Sequence, residues 1–323
     1  MSQSTRVCEW TVSAGKASLS VRASARARPS GWRASYQPDR RRTWYVHLVR
    51  SKVGAGSLIV LALVTLGALL APLIAPYDPN LIDPLRRLQA PSTTHLLGTD
   101  DLGRDILSRL LHGGRVSLIV GLTVAGASAL TGTVIGLIAG YFPRLDGPIM
   151  RTLDGFMAFP GVLLAIAVVI ALGARQSSVI LALCLVYVPV VARLMRGMTL
   201  VIRELPYVEG ARAIGLRDDQ ILVRYVLVNA VSPLIVQAAF VAAYAILAEA
   251  SLSFLGASVN PETPTWGNML RDGQRLLSRA WWMAVAPGVT LFVTVLALTL
   301  FGEVLRDALD PRSGERRTDG MPR

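Results

Sequence analysis

Residues 203–237 read RELPYVEGARAIGLRDDQILVRYVLVNAVSPLIVQ, a polar and charged stretch between two long apolar runs. Pro206 suits the first turn of a helix, where its missing N–H costs nothing, and Gly215 suits the left-handed residue that ends one. Asp218 or Asp219 can then cap a second short helix. We therefore expect a helix–turn–helix that is too polar for lipid and accessible to a soluble partner.

Uncharged runs surround this stretch, and six of them have the length of a membrane span, which is about 20 residues within a range of roughly 17–25. They are Gly54–Ala75, Val116–Pro143, Gly155–Ala174, Gln176–Ala192, Tyr225–Ala248 and Ala280–Gly302. Only 17% of the residues are charged, against about a quarter in an ordinary soluble protein. We predict an all-α, polytopic membrane protein with six transmembrane helices, the fourth kinked at Pro189.

Polar ends flank the membrane domain, which we place at residues 54–310. Residues 1–53 hold eleven Lys and Arg and no periodic pattern, so we expect a disordered basic tail. Trp44 and Tyr45 are typical of an interfacial anchor. Residues 311–323 form a second tail. Whether residues 1–45 belong to the mature protein is left open.

The basic residues predict the orientation of the chain. With the amino terminus inside, the inner segments hold 24 of the 33 Lys and Arg and the outer segments hold 9. Because short inner loops are enriched in Lys and Arg, this count places both termini and the polar stretch on the cytoplasmic side. The net charge of +12 is spread around the apolar runs without a nucleic-acid-binding motif, so we expect no nucleic acid partner.

The segment before the second span predicts an amphipathic helix at the outer surface, with Asp105 and Arg109 paired four residues apart. Its charged residues have two interpretations, a surface ion-pair set that contributes little or a role in gating or in docking an outer partner. The candidates for that role are Asp100, Arg104, Asp105 and Arg109, with Trp266 in the second outer segment.

Small residues recur every fourth position in the second span, at Ser128, Gly132, Gly136 and Gly140. This spacing lets helix backbones approach closely in lipid. The contact lies either within this chain or with a partner subunit.

Catalytic chemistry is missing from the sequence. No Gly-x-x-x-x-Gly-Lys-[Ser/Thr] loop and no metal-binding His pattern occurs, so we expect no catalytic residue, metal or cofactor in this chain. Glu249, at the outer end of the fifth span, is either a capping or interface carboxylate or a proton carrier. A six-span protein without energy-coupling residues should receive energy from a partner.

Residues 207–215, YVEGARAIG, with 226–230, VLVNA, resemble the EAA loop of ABC-importer permeases. The family pattern has Glu-Ala-Ala, a later Gly and then Leu-Pro. Glu209, Ala211, Gly215 and Leu227 fit this pattern by position, whereas Gly210 and Val228 depart from it.

Two further motifs narrow the resemblance. Residues 97–105, LGTDDLGRD, and residues 251–270, from SLSFLG to PTWGNML, are similar to segments of dipeptide/oligopeptide/nickel permeases. Over residues 45–310 the chain resembles the second ("C") membrane subunit of these importers, which implies a prokaryotic inner membrane. The transported solute is left open between peptides, nickel complexes and other small solutes, and an ATPase-independent channel is the rival class.

The resemblance implies a second permease subunit, two cytoplasmic ATPases that bind ATP and Mg, and an extracytoplasmic solute-binding protein. Tyr207–Ile214 would be the coupling helix, in which Glu209 and Arg212 make polar contacts to the ATPase, Ala211 allows close approach and Gly215 permits the turn. The coupling residues would be Tyr207, Glu209, Gly210, Ala211, Arg212, Gly215 and Leu227. In the fifth span, the candidates for the solute path are Asn229, Ser232, Gln237 and Tyr244.

Overall fold

The computed structural model describes residues 51–258 and 262–309. The predicted tails and the anchor at Trp44 and Tyr45 lie outside the described residues, except that Lys52 and Val53 already belong to the first helix. Within the described ranges the regular structure is helical, apart from an isolated antiparallel bridge between Thr99 and Asp105. The predicted all-α fold class is confirmed.

The helices follow one another with short connections, apart from the long segment between the second and third. They are α1 (Lys52–Leu69), α2 (Ala71–Ile74), α3 (Ile106–Tyr141), α4 (Pro143–Met157), α5 (Gly161–Leu172), α6 (Gln176–Ile202), α7 (Pro206–Ala213), α8 (Asp218–Ile221), α9 (Val228–Phe254), α10 (Trp266–Gln274) and α11 (Trp282–Leu309). A 3-10 turn covers Pro84–Arg86, and a π-helical segment, Leu222–Leu227, joins α8 to α9.

Five helices in the described part of the chain are long and apolar enough to cross a membrane, namely α1, α3, α6, the continuous α8–α9 helix and α11. The predicted third span is instead broken, because α4 and α5 meet at an angle of 88°. Helix α5 has 12 residues, about 18 Å of helix against a hydrocarbon core of about 30 Å. The count reaches six only if the bent pair is one span.

Three predicted boundaries also move. The fourth span continues past Pro189 as far as Ile202. The second span begins at Ile106 and not at Val116, because the helix predicted to lead into it is continuous with it as the first turns of α3. The fifth span runs through Pro233 and is continuous with α8, so the short polar helix leads directly into it.

Helices α3 and α6 form the central contact of the fold through the row of small residues. A Cβ on Gly136 would lie 2.5 Å from the Ala192 carbonyl oxygen, and one on Gly132 would lie 2.7 Å from the Val191 Cβ. Only glycine permits this backbone approach. The structure therefore assigns the small-residue row to packing within this chain.

The two ends of α3 carry two polar assemblies. One, which we call the hairpin, comprises residues 203–227 and meets the end of α3 at Tyr141 through a shared apolar core. The other, which we call the cap, comprises residues 76–105 and α10, and meets the beginning of α3 around Ile106.

Candidate functional site

Helix α7 of the hairpin begins and ends as its sequence predicts. Pro206 occupies the first helical position, and Gly215 follows the helix with φ of +85°. The Gly215 N–H donates to the Arg212 carbonyl at 3.0 Å and the Leu216 N–H donates to the Ala211 carbonyl at 3.1 Å. These bonds close the last turn, so α7 is a short helix with two defined ends.

The two faces of α7 differ in their exposure. Val208 and Ala211 are buried in the core of the chain, whereas Glu209, Gly210 and Arg212 are exposed. The expectation that Ala211 lets a partner approach closely is wrong, because its side chain faces inward. Its small size instead lets α7 lie close to its own membrane helices.

Aromatic and apolar side chains complete the exposed face. Tyr207 is 44% exposed and stacks on Tyr225 of the π-helical segment with ring centroids 6.3 Å apart. Ile214, at the end of α7, is 78% exposed. Leu227 is half-buried and packs against the core. The sequence analysis did not single out Ile214. Its position as an apolar residue directly before the glycine that ends the helix could have indicated it.

The second helix of the hairpin starts one residue earlier than a capping Asp218 requires and two earlier than a capping Asp219 requires. Arg217 is the N-cap, and both aspartates lie in the first turn of α8. Their charge still suits the positive end of the helix dipole. Asp218 has a specific partner, because the Tyr141 hydroxyl donates to its carboxylate at 2.5 Å.

The cap holds the outer candidates predicted from sequence, and all of them are buried. The interpretation as a surface ion-pair set is therefore wrong. Arg109 is 2% exposed and Trp266 is 1% exposed, and Asp100, Arg104 and Asp105 are buried with them.

Asp100 organises the loop before α3. Its carboxylate accepts the backbone N–H groups of Leu102 and Arg104, each at 2.9 Å, and the Arg104 Nε at 2.6 Å. The Arg109 Nε lies 3.8 Å from the same carboxylate. A buried carboxylate that accepts two backbone N–H groups and a guanidinium N–H holds its loop in one conformation.

Asp105 is the N-cap of α3 and not a partner of Arg109. Its carboxylate accepts the Ser108 N–H and hydroxyl, each at 2.8 Å, and bonds to the His95 Nδ1 at 2.9 Å. The Arg109 guanidinium donates instead to the Pro79 carbonyl at 3.2 Å. The predicted Asp105–Arg109 pair is therefore replaced by contacts that tie α3 to distant parts of the loop.

Tryptophans join the cap to α3 and to α11. The Trp266 indole N–H donates to the Leu110 carbonyl at 3.1 Å, and the Trp282 indole N–H donates to the Thr99 carbonyl at 3.2 Å. Burial raises the pKa of the Asp272 carboxyl on α10, nearby Asp101 raises it further, and Arg109 acts in the opposite direction. The cap is a connected polar assembly, fixed at several points.

The polar residues of the fifth span are only partly brought together. Gln237 and Tyr244 lie seven residues apart and so share one face of α9, with Tyr244 exposed and Gln237 and Ser232 half-buried. The Asn229 amide donates to the Tyr225 carbonyl at 2.6 Å, so it bonds within its own helix.

Glu249 on α9 is fully buried and accepts hydroxyl groups from two sides. Ser117 of α3 donates at 2.8 Å and Ser253 donates at 2.6 Å. Among the described residues no group of three or more His, Cys, Asp or Glu is placed to hold a metal ion. Glu249 therefore links α9 to α3 through a buried hydrogen bond.

Comparisons with known proteins agree with this architecture. Residues 132–315 match the family model described as the binding-protein-dependent transport system inner membrane component, and residues 40–91 match the N-terminal TM domain of oligopeptide transport permease C.

Several related permease proteins align with most of the chain. It is 40% identical to the di/tripeptide transport system permease protein of Pseudomonas aeruginosa, over 85% of this chain and 93% of that protein. It is 42% identical to the glutathione transport system permease protein of Pectobacterium atrosepticum, over 84% and 91%. It is 37% identical to the dipeptide transport system permease protein of Alkalihalophilus pseudofirmus, over 88% and 90%.

Proposed function

The chain belongs to the family of binding-protein-dependent transport system inner membrane components, and from this premise we propose that it forms half of the pore of a peptide importer and receives its driving force through α7. The resemblance drawn from the sequence is thereby confirmed. As a member of this family the chain is a non-catalytic permease subunit of an ABC importer, which works with ATPase and binding-protein components.

The names of the relatives support peptides as the solute. They are permeases for di/tripeptides, dipeptides and glutathione, and glutathione is itself a tripeptide. Nickel complexes, the other solute class that the resemblance left open, are not favoured by these names. We place the solute path beside the face of α9 that carries Gln237 and Tyr244.

The exposed face of α7 carries the proposal for the driving force. Glu209 and Gly210 face away from the core and Arg212 is also exposed, while Val208 and Ala211 hold the helix to the core. Two cytoplasmic ATPases, which bind ATP and Mg, would each grip such a helix, one on this chain and one on a second, homologous permease subunit. Both termini and the hairpin are then cytoplasmic.

The spans move with α7 because α7 is a rigid connection between them and the ATPase. Closure of the ATPase dimer displaces α7 as a body, and the spans that hold α7 turn with it between inward-open and outward-open states. A short helix with fixed ends transmits such a displacement better than an unstructured loop. In this proposal the binding protein delivers the peptide on the side of the membrane where the cap lies.

Copurification tests the proposal. The intact chain is expressed with its partner subunits and purified in mild detergent through a tag on this chain, and the bound ATPase is measured. Glu209→Lys, on the exposed face, is expected to lose the ATPase. Glu303→Lys, an exposed substitution on α11, is the matched control and should retain it. An ATPase that remains bound to Glu209→Lys at the wild-type level would count against the proposal.

A further inference from the structure

The last two residues of α3 bind side chains from three other parts of the hairpin region. The Gly140 carbonyl accepts the Arg203 Nη1 at 2.8 Å. The Tyr141 hydroxyl donates to Asp218 of α8 at 2.5 Å, and the Arg212 guanidinium of α7 lies over the Tyr141 ring, 5.2 Å from its centroid. One residue of α3, Tyr141, therefore holds both short helices of the hairpin.

These contacts are directional, which distinguishes them from the apolar contacts of α7. The burial of Val208 and Ala211 keeps α7 near the core, but apolar contacts permit sliding because they have no preferred direction. A hydrogen bond and a cation over a ring fix both distance and angle. Tyr141 is 6% exposed whereas Arg212 and Asp218 are exposed, so the tyrosine is the buried side of both contacts.

The position of Tyr141 on α3 gives the contacts a long reach. Helix α3 has 36 residues, which makes it roughly 54 Å long. Its other end carries the buried Asp105 network of the cap, and Ser117 on the same helix donates to Glu249 of α9. Near Tyr141, a Cβ on Gly140 would lie 2.6 Å from the Thr199 Cβ, so α3 and α6 are also in close contact there.

We propose that Tyr141 is a positioning residue that passes the displacement of α7 to α3, with Asp218 and Arg212 as its two partners. The inference rests on the proposed function, since it presumes that an ATPase displaces α7. It adds a defined route, in which α7 and α8 act on one aromatic side chain at the end of the central helix. The same route carries the signal of a docked binding protein from the cap back to the hairpin.

The test measures how strongly the binding protein stimulates ATP hydrolysis. The full complex is reconstituted in nanodiscs, and the ATPase rate is measured with and without its binding protein, isolated with the solute that it holds. The ratio of the two rates does not depend on how many complexes assembled, so a merely structural defect leaves it unchanged. Tyr141→Phe keeps the ring under Arg212 and removes only the hydroxyl, and it is expected to lower the ratio about fivefold.

Asp218 supplies the matched variants. Asp218→Ala should lower the ratio as much as Tyr141→Phe, and the double variant should lose no more than either alone, because both remove one bond. Asp218→Asn keeps an acceptor oxygen and should restore the ratio. Asp219→Ala is the control, since Asp219 lies in the same turn but pairs with Arg217 at the surface.

The outcomes separate this inference from the proposed function. A wild-type ratio in both Tyr141→Phe and Asp218→Ala would overturn the role of Tyr141, and so would an equal loss in Asp219→Ala. A wild-type complex that holds no ATPase, or whose hydrolysis ignores the binding protein, would instead overturn the proposed function.

Discussion

The cap and the hairpin lie at the two ends of α3, and both are rich in charged residues. These residues are buried in the cap and mostly exposed in the hairpin. In the cap, Asp100 and Asp105 are buried and accept backbone and side-chain donors. In the hairpin, Glu209 lies on an exposed helix face. Charge that is satisfied within the chain fixes a structure, whereas charge on an exposed rigid face is available to a partner.

This difference in burial gives the cap and the hairpin different roles. The cap is bonded to α3 through Asp105 and Trp266, so it moves with α3 as one unit. The hairpin meets α3 at its last residue and presents its opposite face outward. Substitutions in the cap should therefore act on stability, and substitutions on the exposed face of the hairpin should act on coupling.

The largest expected effect is on the stability of the cap. Asp100→Ala leaves the buried guanidinium groups of Arg104 and Arg109 without their carboxylate, which should cost about 3–5 kcal/mol of unfolding free energy. The measurement is denaturant unfolding of the purified subunit in detergent. Asp219→Ala, in the hairpin, removes an exposed acid and should change stability by less than about 0.5 kcal/mol. Equal losses in the two variants would remove the distinction between the regions.

A pair of left-handed glycines gives the next largest contrast. Gly103 of the cap has φ of +79° and Gly215 of the hairpin has φ of +85°. A Cβ on Gly103 would collide with the Asp83 carbonyl oxygen, whereas a Cβ on Gly215 would meet open space. Gly103→Ala combines strain with overpacking and should cost about 2–5 kcal/mol, against about 1–2 kcal/mol for Gly215→Ala. Thermal unfolding of the two variants side by side measures this contrast, and a larger loss at Gly215 would contradict the packing described for the cap.

Gly215→Val should impair transport more than it impairs folding. Its backbone strain of about 1–2 kcal/mol can be relieved if α7 straightens or shifts, which would misalign the exposed face. We expect normal insertion into the membrane but little stimulation of ATP hydrolysis by the binding protein. Wild-type peptide uptake in this variant would count heavily against a coupling role for α7.

The smallest effect is expected at Gly210. A Cβ there would have open space, and alanine should favour the helix by up to about 1 kcal/mol. Gly210→Ala should therefore leave ATPase binding and uptake unchanged and raise the melting temperature slightly. A loss of ATPase binding would show that the partner needs the bare backbone at this position.

Features that depend on neighbouring residues, such as the ends of short helices, could be predicted from the sequence. Pro206 and Gly215 bracket α7 as expected because a helix start and a left-handed end depend on the residues themselves. The broken third span was missed because the break at residues 158–160 contains no charged residue, so the apolar run continues through it. Pro160 was nonetheless a visible signal.

Long-range contacts were beyond the sequence argument. The Arg109 guanidinium reaches the carbonyl of Pro79, thirty residues earlier, and Asp218 meets Tyr141 across 77 residues. No local pattern relates such residues. Four-residue spacing favoured an Asp105–Arg109 pair, but Asp105 is the N-cap of α3, so its carboxylate bonds to the Ser108 N–H and hydroxyl and to His95.

Site-specific crosslinking tests the central claim, that the hairpin binds the ATPase and the cap does not, most directly. A photoreactive residue is placed at Ile214 of the hairpin and, in a second variant, at Leu85 of the cap segment, which is 94% exposed. After irradiation of the intact complex, the ATPase is identified by mass in each crosslinked product. We predict that Ile214 captures the ATPase and Leu85 does not. Capture of the ATPase from Leu85, or its absence from Ile214, would contradict the account.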